Sequence, residues 1–155
     1  MTVRLYFDAC CVNRFTDDQS QDRIRHEAEA IEKLLGLAVS DWGAWISSVV
    51  LEAEISRNPD LNRRQDAEML LTFARETIEL NDQIIGRARE LRNAGFSEFD
   101  ALHLACSEHA RVEVFLTTDD RLIRRAQRGA GNLAFRVLNP VFFWKELQNA
   151  DARDE

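Results

Sequence analysis

Four short apolar runs alternate with long helix-patterned stretches, and that alternation constrains the fold more than any other feature of the chain. The runs fall at residues 3–7 (VRLYF), 44–48 (AWISS), 113–116 (EVFL) and 135–138 (FRVL). Short, nearly continuous apolar runs suit strands covered on both faces, and the segments between them are long enough for crossover helices. Together they are the signature of βαβ units in a parallel sheet. The spacing predicts a helix over 20–36, with Ile24, Ala28, Ile31, Leu34 and Leu35 on one face and Gly36 as its stop. A short helix over 49–57 ends at Asn58-Pro59, and a further helical pattern covers 62–76. Asn81-Asp82 and Ser97 open helices running to Gly95 and over 98–109; another covers 121–127, and Pro140 starts the last. The expected fold is a three-layer α/β/α domain with a short parallel central sheet. It forms one domain over residues 1–148, followed by a frayed tail over 149–155. A chain of 155 residues is long enough for one core that buries about 70% of the unfolded surface.

Composition then excludes several classes. No run approaches the ~18 consecutive apolar residues of a membrane span, and the N-terminus, MTVRLYFDA, lacks the layout of a signal peptide. A cytoplasmic location is therefore expected. Three cysteines, Cys10, Cys11 and Cys106, are odd in number with two adjacent, which opposes a disulfide framework, and no CxxC suggests zinc. The net charge of −7 argues against a passive nucleic-acid binder, whose affinity comes mostly from basic contacts to phosphate. It accommodates an acidic pocket that takes phosphate through metal ions, or a partner that brings the missing positive charge.

Four carboxylates stand at comparable places in this pattern. Asp8 follows the first run, Glu54 lies just beyond the second, Asp100 opens the helix over 98–109, and Asp119 follows Thr117-Thr118 after the third run. In an open parallel sheet these places border one crevice, at the carboxyl ends of the strands. Acids that converge there repel one another unless a divalent cation neutralises them. Each has a structural alternative. Ser97-Glu98-Phe99-Asp100 matches a capping box, and Asp119 or Asp120 suits the N-cap of the next helix, leaving the other for the crevice. Glu52 and Glu54 compete for one role, because residues two apart point to opposite sides of a helix.

His103, Cys106 and His109 share one helix, yet three ligands on a straight helix cannot surround zinc, and His103 lies in an apolar stripe. His26 belongs to a charged helix face. With no histidine placed as a base, hydrolysis would rest on metal-activated water. Basic residues form small groups at Arg57, Arg63-Arg64, Arg87-Arg89-Arg92 and Arg121-Arg124-Arg125-Arg128. Such groups are usually solvated helix faces, but the last begins beside Asp119, in position to guide a phosphate backbone.

The ordered strings Leu5-Tyr6-Phe7-Asp8, Ile46-Ser47-Ser48 leading to Glu54-Ile55, Phe99-Asp100-Ala101-Leu102-His103-Leu104-Ala105 and Phe115-Leu116-Thr117-Thr118-Asp119 resemble the PIN-domain nucleases. They are especially similar to the VapC-like branch, found as toxins in bacterial toxin–antitoxin pairs. The resemblance covers nearly the whole chain and implies a metal-dependent endoribonuclease that cleaves single-stranded RNA. It puts Asp8, Asp100 and Asp119 on the family's acidic positions, as ligands for Mg²⁺ or Mn²⁺, with Glu54 as ligand or water-orienting base. The family's usual Glu-Leu or Glu-Ile pair fits Glu54-Ile55 better than Glu52-Ala53. A cognate antitoxin laying a basic segment into the cleft and a homodimer are further implications, the latter served by Val141-Phe142-Phe143-Trp144 unless the sheet buries it.

One departure is plain. The family often carries Thr or Ser and then Asn after the first aspartate, where this chain has Ala9 and Cys10. Asn13 is the nearest replacement. The departure supports an alternative, a catalytically weakened PIN-like module that acts by binding protein or RNA, whereas retention of all four acids opposes it. A phosphatase-like reading needs a D-x-D pattern and a nearby lysine, and the chain has only Lys33 and Lys145.

Overall fold

The computed structural model describes residues 2–154. Five strands, β1 (Val3–Phe7), β2 (Gly43–Ser48), β3 (Glu76–Ile78), β4 (Val114–Leu116) and β5 (Arg136–Leu138), form one sheet in the order β3-β2-β1-β4-β5. Every pairing is parallel. The helices are α1 (Ala9–Asn13), α2 (Asp22–Ala38), α3 (Val49–Ser56), α4 (Leu61–Leu71), α5 (Asp82–Asn93), α6 (Glu98–His109), α7 (Asp120–Gln127) and α8 (Pro140–Asp154). This is the expected three-layer α/β arrangement. No described helix is long and apolar enough to cross a membrane.

The pleat of β1 sorts the two faces of the sheet. Leu5, Tyr6 and Phe7 are all fully buried, as a central strand covered on both sides requires. Phe7 meets Trp45 edge-on, while Tyr6 points the opposite way, stacks on Phe115 and reaches α6. The chain winds outward from β1 through β2 to β3, then returns beside β1 as β4 and leaves through β5. The order therefore reverses between β1 and β4, and a crevice opens beyond their carboxyl ends.

Three local differences from the sequence reading have physical causes. The 62–76 pattern is not one helix: α4 ends at Leu71, and Glu76–Ile78 is an edge strand that the apolar pattern does not signal, because only Ile78 of the three is buried. Helix α2 runs past Gly36 to Ala38, and the Ser40 hydroxyl then donates to Leu37 O, 2.6 Å away, as the chain turns. The short α1 was not expected; Asp8 caps it directly after β1. The last helix continues through residues 149–154. Within the apolar cluster at residues 141–144, Phe143 is buried and Phe142 exposed.

Candidate metal centre

Asp8 is buried at the first position beyond β1, in the crevice where the strand order reverses. Its Oδ1 accepts from the Ala9 amide at 2.8 Å and its Oδ2 from the Thr117 hydroxyl at 2.8 Å. The thiol of Cys10 lies 3.6 Å from Oδ2 and 3.3 Å from Thr117 Oγ1, and accepts from the Thr118 amide. Thr117 and Cys10 thus supply the polar contacts to Asp8 that the residue types at positions 9 and 10 had left open. Asn13, the replacement expected from the sequence, is not among the hydrogen-bond partners of Asp8. Its buried Oδ1 has no partner among the described residues.

Glu54 and Glu52 separate as their spacing on α3 requires. Glu52 is exposed, whereas Glu54 turns into the crevice and its Oε1 lies 2.9 Å from His103 Nε2. His103, placed by the sequence in an apolar stripe and not offered as a base, is fully buried and contacts Glu54. Its Nδ1 is 2.6 Å from Tyr6 Oη, which is 2.6 Å from Ser48 Oγ, which accepts from the Leu51 amide. One assignment of protons satisfies this chain when the ring is neutral. A carboxylate can only accept, so Nε2 carries the proton and donates to Glu54; Nδ1 then accepts from Tyr6, and Tyr6 accepts from Ser48. Glu54 is in this way tied to the backbone at the start of its own helix. The sequence held a signal for it: Tyr6 and Ser48 are polar groups in runs otherwise buried, and buried hydroxyls need partners.

Asp100 is half-buried in the first turn of α6, whose Ser97 cap accepts from the Asp100 amide at 3.2 Å. Asp119 is exposed and caps α7, with Oδ1 accepting from the amides of Arg121 at 2.9 Å and Leu122 at 3.3 Å. Capping and facing the crevice are therefore not divided between Asp119 and Asp120 as the sequence suggested. Asp120 is bound by Arg23 through both its oxygens, at 2.9 and 3.0 Å, and is taken up by that pair. The cap uses one oxygen of Asp119 and leaves Oδ2 without a hydrogen bond among the described residues.

Electrostatics couples these groups. Burial pushes the Asp8 carboxyl above its ordinary value, opposed by His103 and reinforced by Glu54. Asp100 is pushed up to about 6, first by burial and then by the charge of Asp8, with a smaller contribution from Asp119. Burial lowers the His103 pKa, but the hydrogen bond to Glu54 and the charges of Asp8 and Glu54 outweigh it, and the net direction is up. Among the described residues, the only side chain able to carry positive charge within 4 Å of Asp8 is His103, 3.9 Å away. A carboxylate set this poor in cations holds more negative charge than its surroundings offset.

Asp8, Glu54 and His103 can each bring one ligand atom within 4.8 Å of the others. Asp100 and Asp119 stand outside that tight group, and the charges of Asp8 and Asp119 both reach Asp100. Both nitrogens of His103 are already committed to hydrogen bonds, so the ring suits orientation of Glu54 better than direct ligation. The oxygen donors that remain are carboxylates, which fit hard divalent cations.

An acid-lined crevice at the switch point of a parallel sheet places the chain in the class of open α/β folds that bind ligands there. Within that class, residues 5–128 match the PIN domain model, and the chain belongs to that family, whose members are nucleases as a group. No curated protein matches the chain. Solved structures similar in fold include a toxin–antitoxin complex from Klebsiella pneumoniae, with 21% identity, TM-score 0.56 and coverage of 88% of this chain and 97% of that one. DNA-bound VapBC from Salmonella typhimurium is similar with 11% identity, TM-score 0.60 and coverage of 90% and 99%. VapBC2 from Rickettsia felis, bound to a promoter DNA fragment, shows 11% identity, TM-score 0.55 and coverage of 88% and 98%. The fold is thus VapC-like.

Proposed function

We propose that this PIN domain is a metal-dependent endoribonuclease that cleaves single-stranded RNA and serves as the toxin of a toxin–antitoxin pair. The observation that carries the reading is the buried Asp8 carboxylate, which faces Glu54 and perturbs Asp100 with no lysine or arginine within 4 Å among the described residues. Asp8, Asp100 and Asp119 would hold Mg²⁺ or Mn²⁺, with Glu54 as a fourth ligand or as the group that orients water. The chemistry supplied by a bound cation is neutralisation of the cluster and a lowered pKa for attacking water. The residues themselves do the positioning: Thr117 and the Ala9 amide fix both oxygens of Asp8, and His103 fixes Glu54. A free single strand is the expected substrate, because its backbone can bend into a narrow acidic crevice while its bases splay outward.

The partner reading rests on the solved neighbours, which are complexes of toxins with antitoxins. A basic antitoxin segment in the crevice would block it by neutralising the same charges. Homodimerisation and a cytoplasmic location belong to this reading as well. The test is cleavage of a mixed single-stranded RNA pool by wild type and Asp8→Asn, with Mn²⁺, Mg²⁺ or EDTA. Metal-dependent cleavage that disappears in Asp8→Asn is expected. Intact RNA under every condition would replace the nuclease with the weakened binding module.

A further inference from the structure

Helix α7, capped by Asp119 on the rim of the crevice, carries Arg121, Arg124 and Arg125, and Arg128 follows as its C-cap beside them. The four side chains line one surface cleft, floored by Ala94, Gly129 and Ala130. None of them forms an ion pair among the described residues. Three arginines in the sequence's other basic groups are ion-paired: Arg63 with Asp17, Arg64 with Glu68 at 3.9 Å, and Arg87 with Glu108 and Glu90 at 2.9 Å each. Arg57, Arg89 and Arg92 are not ion-paired among the described residues, but they do not line this cleft. Helix electrostatics accounts for only part of this face. Cations in the last turn of α7 are favoured by the helix dipole, but Arg121 lies in the first turn, where a cation is disfavoured.

The fold also makes room for one of these heads. Gly95, with φ of +108°, lies against the Arg125 guanidinium, which sits 6.0 Å from the centre of the Phe96 ring. The Arg125 head thus rests beside Gly95 and the Phe96 ring while the residue stays exposed. At 1.5 Å per residue, the distance from Arg121 to Arg128 along α7 is about 10 Å, enough to span more than one phosphate of an extended strand.

We propose that this arginine face is a binding track for the phosphate backbone of single-stranded RNA, leading to the acidic centre at Asp119. The inference rests on the ribonuclease reading for the direction of the track and names the surface that holds the substrate beyond the scissile bond. It also resolves the tension between a net charge of −7 and an RNA substrate: attraction is local and confined to one helix face.

The test measures binding of a labelled oligouridine by full-length protein in an Asp8→Asn background, across a series of salt concentrations. Variants replace the four arginines of α7 by Gln, singly and together. A control replaces Arg75 and Arg111, exposed arginines without ion pairs at the opposite end of the strands. Each lost phosphate contact should flatten the slope of log K against log salt by about 0.7, while the control keeps the wild-type slope. Far-UV circular dichroism and melting confirm that the variants fold; a quadruple variant that does not fold is replaced by the single ones, whose slopes decide alone. With Asp8 intact, the quadruple variant should lose about tenfold in kcat/KM on long RNA and less on a trinucleotide, which is too short to span the track. Unchanged slopes overturn the track, as does polyglutamate competing as well as RNA of equal charge. Absence of cleavage in wild type would instead overturn the ribonuclease reading, and the slopes would still decide whether the cleft binds RNA.

Discussion

The acidic centre and the arginine face of α7 lie side by side and are built on opposite principles. At the heart of the centre, charge of one sign is held in place: Asp8 is buried and fixed by two hydrogen bonds, and Glu54 by a histidine held in turn by Tyr6 and Ser48. On the arginine face, charge of the other sign is exposed, and the side chains are free of carboxylate partners among the described residues. Fixed, dehydrated charge suits a ligand of defined geometry such as a cation, whereas exposed charge suits a mobile polyanion whose register must shift. The lesson is that net charge alone misleads here: −7 for the chain is compatible with a concentrated positive strip on one helix.

The largest test of this contrast lies in Asp8. Asp8→Asn should reduce RNA cleavage by about two orders of magnitude or more, in line with removing a principal electrostatic group from a preorganised site. The same substitution should leave the metal-free protein at least as stable as wild type. Burial raises the carboxyl pKa in the folded state, so the ionised form works against folding and a neutral amide relieves it. A melting curve with EDTA checks this, and a large loss of stability in Asp8→Asn would contradict the account of the centre.

A smaller effect is expected from pH. The folded pKa of Asp100, about 6, lies above its unfolded value, so the folded state binds the extra proton between the two. In the absence of metal this group favours folding below its unfolded pKa, and the contribution is lost as pH rises through about 6. Thermal melts with EDTA between pH 5 and pH 8 (a range of about three units around these values) should show this component decline. Added Mn²⁺ should stabilise the protein more at the upper end, where no proton competes. Substituting Asp100 by Asn should remove the component.

Next comes His103. Replacing it by Gln breaks the link from Tyr6 to Glu54, and loss of such an outer contact typically costs about 10–100-fold in metal affinity or activity. Tyr6→Phe should act in the same direction with a smaller effect, since it removes one hydrogen bond and leaves His103 in place. Calorimetric titration of Mn²⁺ separates these variants from ones that are merely less stable. The smallest effect should come from Glu52→Gln: with Glu52 exposed and Glu54 on His103, cleavage should stay near wild type, whereas Glu54→Gln should impair it strongly.

Much of the architecture was legible in the chain because its central strands are buried on both faces, and such strands must be written as short apolar runs. β1 and β2 are found within one residue at each end. β3 was not legible: an edge strand of three residues with two of them exposed leaves no apolar run. The four acids could be picked out because strand ends and helix caps are marked by local chemistry. Which glutamate turns inward could not be, since that depends on the rotation of α3 against α6. His103 was hidden for the same reason: its neighbours in sequence are apolar, while its partners Tyr6 and Glu54 come from other elements, 97 and 49 residues away. The separation of paired from unpaired arginines likewise depends on tertiary contacts such as Arg23 with Asp120.

The most direct test of the central claim is a titration of metal-free protein with Mn²⁺, followed by electron paramagnetic resonance, in wild type and Asp8→Asn at neutral pH. The account predicts saturable binding in wild type that is abolished or greatly weakened in Asp8→Asn. Equal binding by the two proteins, or none by either, would contradict it.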